Sequence, residues 1–191
     1  GKRFRLNLSF DAVLRVLEVQ RDGIFDDSTK IDLSLWLLVR NRGKYRRLDI
    51  RQKAELLAEI SANFIEVKSK PVAKNQKTFD FLQDARYIFA SFKQAYGIDL
   101  QRERGRLDWR KFIALFQGLP SDTKIKEIMD IRGRTPPKQN SHNAEEIQSL
   151  MELKAYYALD YTEGEAGELY QRGVDKIASA LERFARGNAT R

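Results

Sequence analysis

Along most of this chain the apolar residues recur in steps of three and four, a spacing that admits one kind of regular element, the amphipathic helix. From Ser9, a good N-cap type, Phe10, Val13, Leu14 and Leu17 share one helical face that ends near Gly23. "DDSTKIDLSLWLLVRNRG" offers acidic and hydroxyl caps and then a dense apolar run through Trp36, Leu37 and Leu38. It predicts a second, largely buried helix that closes on Arg40 and Arg42 before Gly43. Asp49 and Gln52 have capping-box spacing ahead of Ile50, Ala54, Leu57 and Phe64, which predicts a third helix running to about residue 66. Only "RFRLNL", where Phe4, Leu6 and Leu8 alternate with polar residues, has the two-residue period of a short strand.

"KSKPVAKNQK" breaks the helical pattern, because Pro71 stands among lysines with few apolar anchors, and it reads as an exposed linker. "FDFLQDARYIFASFKQAYGIDL" follows, with Asp80 as N-cap, Gln83 at N3 and Gly97 placed as a C′ residue. Leu82, Ala85, Phe89, Phe92 and Tyr96 form its apolar seam, and Phe81, Ile88 and Ala95 widen it. Asp108 then caps a fifth helix whose Trp109, Phe112, Ile113 and Phe116 lie on one face, stopped by "GLP" at 118–120. Ser121 or Asp122 opens a sixth, with Ile125, Ile128 and Met129, that ends at Gly133. After the proline-bearing loop "RGRTPPKQNSHN", Asn143 and Glu146 have the capping-box pattern for a seventh helix through Ile147, Leu150, Leu153 and Tyr157. Thr162 and Glu165 repeat that pattern for a last helix striped by Tyr170, Val174, Ile177, Leu181 and Phe184.

The expected fold is therefore all-α, about seven to eight helices in one compact bundle with a short N-terminal strand. Residues 1–160 read as a single helical domain with an exposed linker at about 67–78, and 161–191 as an appended C-terminal helix. No apolar run reaches the ~20 residues that span a bilayer, and the start "GKRFRLNLSF" lacks the apolar stretch of a signal peptide, so a soluble, cytoplasmic protein is expected. The chain begins with Gly1 in place of Met, which suggests that residues precede it.

The absence of cysteine removes disulfides, thiolate metal sites and a cysteine nucleophile. The single histidine, His142, lies in a polar turn beside a helix cap, and no G-x-S-x-G elbow accompanies it. His142 and Glu146 have the i, i+4 spacing of a metal pair, yet no third ligand joins them and Glu146 serves better as the N3 acid. The acids of "RDGIFDD" lack the EF-hand order, and neither G-x-x-x-x-G-K-[ST] nor G-x-G-x-x-G occurs. Catalytic, cofactor and metal residues are thus expected to be absent, and the protein is expected not to be an enzyme. What stands out instead is charge: +8 net, with Arg40, Arg42, Lys44, Arg46 and Arg47 packed around Tyr45, and Arg102, Arg104 and Arg106 further on. Such a patch suits phosphate binding, although cations at helix C-termini have a plainer role in complementing the dipole, and no base-reading recognition helix stands out.

"FDFLQDARYIFASFKQAYGIDL", "RLDWRKFIALFQGLPSDTKIKEIMDIR" and "HNAEEIQSLMELKAYYAL" closely resemble the bacteriophage gene-product-fifteen family of tailed phages and prophages of Gram-positive bacteria. "LNLSFDAVLRVLE" looks like its N-terminal signature, and the resemblance extends over roughly residues 4–160. The family's genes lie in the tail module beside those for the tail tube and tape-measure proteins. The resemblance therefore implies a tail assembly chaperone: helical, without catalytic residues or cofactor, coating the tape-measure protein until tube subunits replace it. Tape-measure protein, tail tube protein and further copies of the chain are the expected partners, in the host cytoplasm and not in the mature virion, with no membrane involved. Nucleic acid, bound through Arg40, Arg42, Lys44, Arg46 and Arg47, is the alternative partner. For a protein partner the candidate contacts are Trp109, Phe112 and Phe116 with Tyr96, and the ring positions Phe81 and Tyr87 on the preceding helix. A packed core between the two helices suits the same rings.

Overall fold

The computed structural model describes residues 3–66, 78–140 and 143–160. Most of the linker read at about 67–78, His142 and the C-terminal helix read at 161–191 lie outside them. The described chain is all-α. Its helices are α1 (Phe10–Arg21), α2 (Asp27–Leu38), the single turn α3 (Arg42–Tyr45), α4 (Ile50–Ile60) continued by a π-helical turn (Ser61–Ile65), α5 (Ala85–Tyr96), α6 (Trp109–Gln117), α7 (Lys124–Gly133) and α8 (Ala144–Tyr156). The segment read as a strand makes one isolated antiparallel bridge, Leu6 to Val39, and no strand forms among the described residues. The chain groups into two compact units, with described residues 3–66 and 103–114 in the first and 78–102, 115–140 and 143–160 in the second.

In the first unit α1 packs on α2 and α2 on α4. Val13, Leu35, Leu38 and Leu57 are completely buried among them. The Asp49 capping box forms as its spacing predicts: the carboxylate accepts the Gln52 N–H at 2.8 Å, and the Gln52 side chain accepts the Asp49 N–H at 3.4 Å. Asp26 caps α2 by accepting the Thr29 N–H, and hydrogen bonding from the Thr29 side chain, then from its backbone N–H, holds the carboxyl below the ordinary aspartate value. The second helix is shorter and more open than its composition predicts. It ends at Leu38, and Trp36 remains 42% exposed because the apolar run wraps the helix while only Ile31, Ser34, Leu35 and Leu38 face inward.

The end of α4 departs from the 3.6-residue period. Glu66 donates to the Ser61 carbonyl five residues back, a π turn. Ile60 and Ile65 are thereby buried together, and Phe64, which the period assigned to the core, is 37% exposed with the Arg110 guanidinium over its ring. Residues 8–10 and 107–109 exchange backbone hydrogen bonds, Phe10 N to Leu107 O at 2.9 Å and Trp109 N to Leu8 O at 2.7 Å, which fix where α6 begins.

In the second unit α5 packs on α7, and α7 on α8. Asp80 does not open the helix. Its carboxylate accepts the N–H groups of Leu82 and Gln83, at 2.8 and 3.1 Å, and so shapes a turn, and α5 starts at Ala85. The face that α5 buries is Asp84, Ile88, Ser91 and Phe92, whereas Ala85 of the expected seam is exposed. Two polar groups on that face explain the shift. Ser91 Oγ accepts the Ile125 N–H at 3.1 Å, satisfying a donor in the first turn of α7. Asp84 receives both terminal nitrogens of Arg132, at 2.6 and 2.9 Å, with the carboxylate and guanidinium both buried. Arg132 also donates to the carbonyls of Tyr157 and Thr78, so one side chain of α7 ties α5, the end of α8 and the segment before α5.

Gly97 ends α5 at φ 67°, the left-handed C-cap its position predicts. The N-terminus of α7 belongs to Thr123, not to Ser121 or Asp122. The Asn143 and Glu146 capping box does not form, because the Asn143 side chain is committed backwards, accepting from Asn140 N and donating to Lys138 O.

Candidate functional site

The ring positions singled out from the sequence separate into inward and surface groups. In the first unit the Trp109 and Phe112 rings stack at 5.6 Å, and Phe10 continues the stack on Phe112 at 5.0 Å. The Trp109 indole N–H donates to the Ile65 carbonyl at 2.9 Å, and Trp109 is only 3% exposed. Phe116 is buried in the second unit, where Phe79 and Phe81 gather on it at 4.8 and 5.3 Å. Tyr96 is half-buried, edge-on to Phe92, with its hydroxyl donating to the Leu115 carbonyl. These rings hold their units together.

Tyr87 is different. Its ring meets Tyr157 edge-on at 6.1 Å, Tyr157 meets Tyr156 at 4.8 Å, and Tyr156 is 76% exposed. Arg86 lies over the Tyr87 ring and donates to its hydroxyl at 2.7 Å. Lys124 lies over Tyr157, and hydrogen bonding to Glu127, then to Tyr157, raises its ammonium above the ordinary lysine value. On the same helix as Tyr156, Met151 and Leu153 are 52% and 43% exposed, and Leu150 alone is fully buried. Leu153 was expected inside. It falls outside because α8 is held largely by polar means: Lys154 reaches the Arg132 and Arg134 carbonyls, at 2.6 and 2.9 Å, at the C-terminal end of α7. The doublet Tyr156–Tyr157 was the available signal for this surface, since two successive aromatics cannot both face inward from one helix.

The basic residues are outward as expected: Arg40, Arg42, Lys44, Arg46 and Arg47 are all exposed, and none has an ion pair among the described residues. The structure enlarges the group. Arg5 N donates to Asn41 Oδ1 at 2.8 Å, Arg40 N to Arg5 O at 2.8 Å, and Lys44 Nζ to Arg3 O at 3.3 Å, so exposed Arg3 and Arg5 join the strip from a distant part of the sequence. Tyr45 is buried and takes no part in the surface. Its place is taken by Trp36, with the Arg42 guanidinium 4.1 Å from its ring centroid. Sequence spacing could not show this, because the strip is assembled by backbone pairing across more than thirty residues.

Among the described residues no three metal-ligating side chains come together. No helix among them is long and apolar enough to cross a membrane. The acids of "RDGIFDD" are used locally, Asp22 accepting the Ile24 N–H and Asp26 capping α2. No curated protein and no solved structure matches the chain. A family model described as "Bacteriophage Gp15 protein" does match, over residues 1–159 of the 191. That span takes in every helix described above and the four motifs that carry the resemblance. The chain therefore belongs to the bacteriophage Gp15 protein family.

Proposed function

We propose that this phage protein is a tail assembly chaperone that binds the tape-measure protein, and tail tube subunits with it, during tail morphogenesis. It works in the host cytoplasm by protein binding alone, without catalysis or a cofactor, associates with further copies of itself, and leaves before the virion is complete. Family membership supports a phage role, and the observation that carries the finer reading is the outward apolar surface of α8, with Met151, Leu153 and Tyr156 open to solvent. Such residues cost solubility unless something covers them for part of the protein's life. A long helical tape measure bares apolar stripes before the tube closes round it, and a helical module presenting aliphatic and aromatic side chains can cover such stripes. Weak contacts repeated along one long chain hold by avidity and still yield stepwise to tube subunits.

The test is co-expression with the tape-measure protein of the same phage, with the product sized by light scattering at low and high salt. A soluble complex carrying many copies and surviving high salt is expected. The combined change Met151→Ser, Leu153→Ser and Tyr156→Ser should reduce the copies bound, with a smaller loss of melting temperature than a change to serine at buried Leu150. An insoluble tape measure with the chain eluting alone would remove the support for the proposal.

A further inference from the structure

We infer that the basic strip of the first unit is a binding site for single-stranded nucleic acid, a function separate from the proposed chaperone role and resting on different residues. Three observations carry it. First, the strip is built, not merely a run in the sequence: two side-chain bonds from Asn41 and one from Lys44 fix the segment bearing Arg3 and Arg5 beside Arg40 and Arg42. Second, its charge is uncompensated. None of the strip's seven cations has an acidic partner among the described residues, whereas Arg51, Lys124 and Arg134 are paired with Glu55, Glu127 and Asp130. Holding like charges together in this way is unfavourable until an anion arrives. Third, six of the seven cations are arginine, whose planar fork matches phosphate oxygens, and an exposed indole lies among them. A cationic track with an aromatic platform is the composition that recognises unpaired strands, the phosphates held by charge and a base stacked on the ring. An acidic protein segment would meet the charge but make no use of the exposed indole of Trp36.

The experiment is fluorescence anisotropy of the full chain with a labelled single-stranded oligonucleotide, titrated across salt. Engagement of the whole strip gives log K against log salt a slope approaching about −5, and the triple change Arg42→Gln, Arg46→Gln and Arg47→Gln should lower that slope by about two and weaken binding roughly tenfold or more. The control, Arg102→Gln, Arg104→Gln and Arg106→Gln, removes the same charge from exposed positions outside the strip and should leave binding nearly intact. Trp36 emission should be quenched on binding, and Trp36→Phe should abolish the quench, because the remaining tryptophan, Trp109, is buried. Equal loss in the two triple variants would overturn the inference by reducing it to the overall charge of +8. Displacement by polyglutamate at equal charge concentration would overturn it in favour of an acidic protein partner. Duplex DNA bound as tightly, with no Trp36 quench, would overturn it as well.

Discussion

Replacing Arg132 by methionine should destabilise the second unit by about 3–5 kcal/mol, the cost of leaving one member of a buried ion pair alone. The magnitude follows from what the guanidinium holds. Asp84, 1% exposed at its side chain, would keep its bond from the Asp80 N–H at 2.9 Å but lose both guanidinium donors. The carbonyls of Thr78 and Tyr157 would lose a donor each, so the end of α8 should loosen along with α5. Methionine is long enough to fill most of the volume, which keeps a cavity from dominating the result. The double variant Asp84→Asn with Arg132→Met removes the stranded charge and keeps an acceptor for Asp80 N, and it should recover about 2 kcal/mol of the loss. Urea denaturation followed by circular dichroism compares the wild type, the single variant and the double variant. A loss below about 1 kcal/mol in the single variant, or a double variant no better than the single, would refute the claim that this pair is desolvated and holds the elements together.

Trp109→Ala should cost about 3–5 kcal/mol, because it empties a stacked core position and leaves the Ile65 carbonyl without its indole donor; chemical denaturation checks it, and an unchanged midpoint would place the ring outside the core. Gly97→Ala should cost about 1 kcal/mol through backbone strain at φ 67°, since no atom stands within 4 Å of an added Cβ; a lowered thermal midpoint in the alanine variant, smaller in Gly97→Asn, is the expected reading. Asp49→Ala should cost about 1 kcal/mol by opening the capping box of α4, seen as a lower urea midpoint at unchanged m-value.

Local signals in the sequence were reliable where one residue type answers one local need. Asp49 with Gln52, Gly97 and the "GLP" stop each satisfy or end a helix by their own chemistry, and each is where spacing put it. The face of α6 was legible too, because Trp109, Phe112, Ile113 and Phe116 leave no other solution at a period of 3.6. What hydrophobicity could not show is burial of polar groups: Asp84, Ser91 and Arg132 sit inside because partners in other helices satisfy them, and those partners are distant in sequence. The same limit hid the full basic strip, two of whose seven cations are brought in from a distant segment, and the exposure of Leu153, which depends on how Lys154 anchors its helix.

The π turn at Ser61–Ile65 makes chain length, and not only side-chain identity, a determinant of the first unit's core. Its extra residue places Ile65, not Phe64, beneath the helix and delivers the Ile65 carbonyl to the indole of Trp109. Relaxation of the turn to the ordinary period at unchanged chain length would exchange Ile65 for Phe64 at the buried site and withdraw the acceptor, whereas loss of one codon between positions 61 and 64 would leave the isoleucine four residues after Ile60, on the same face. The π turn is thus the device by which the helix carries one residue more than its period allows and still turns an isoleucine inward.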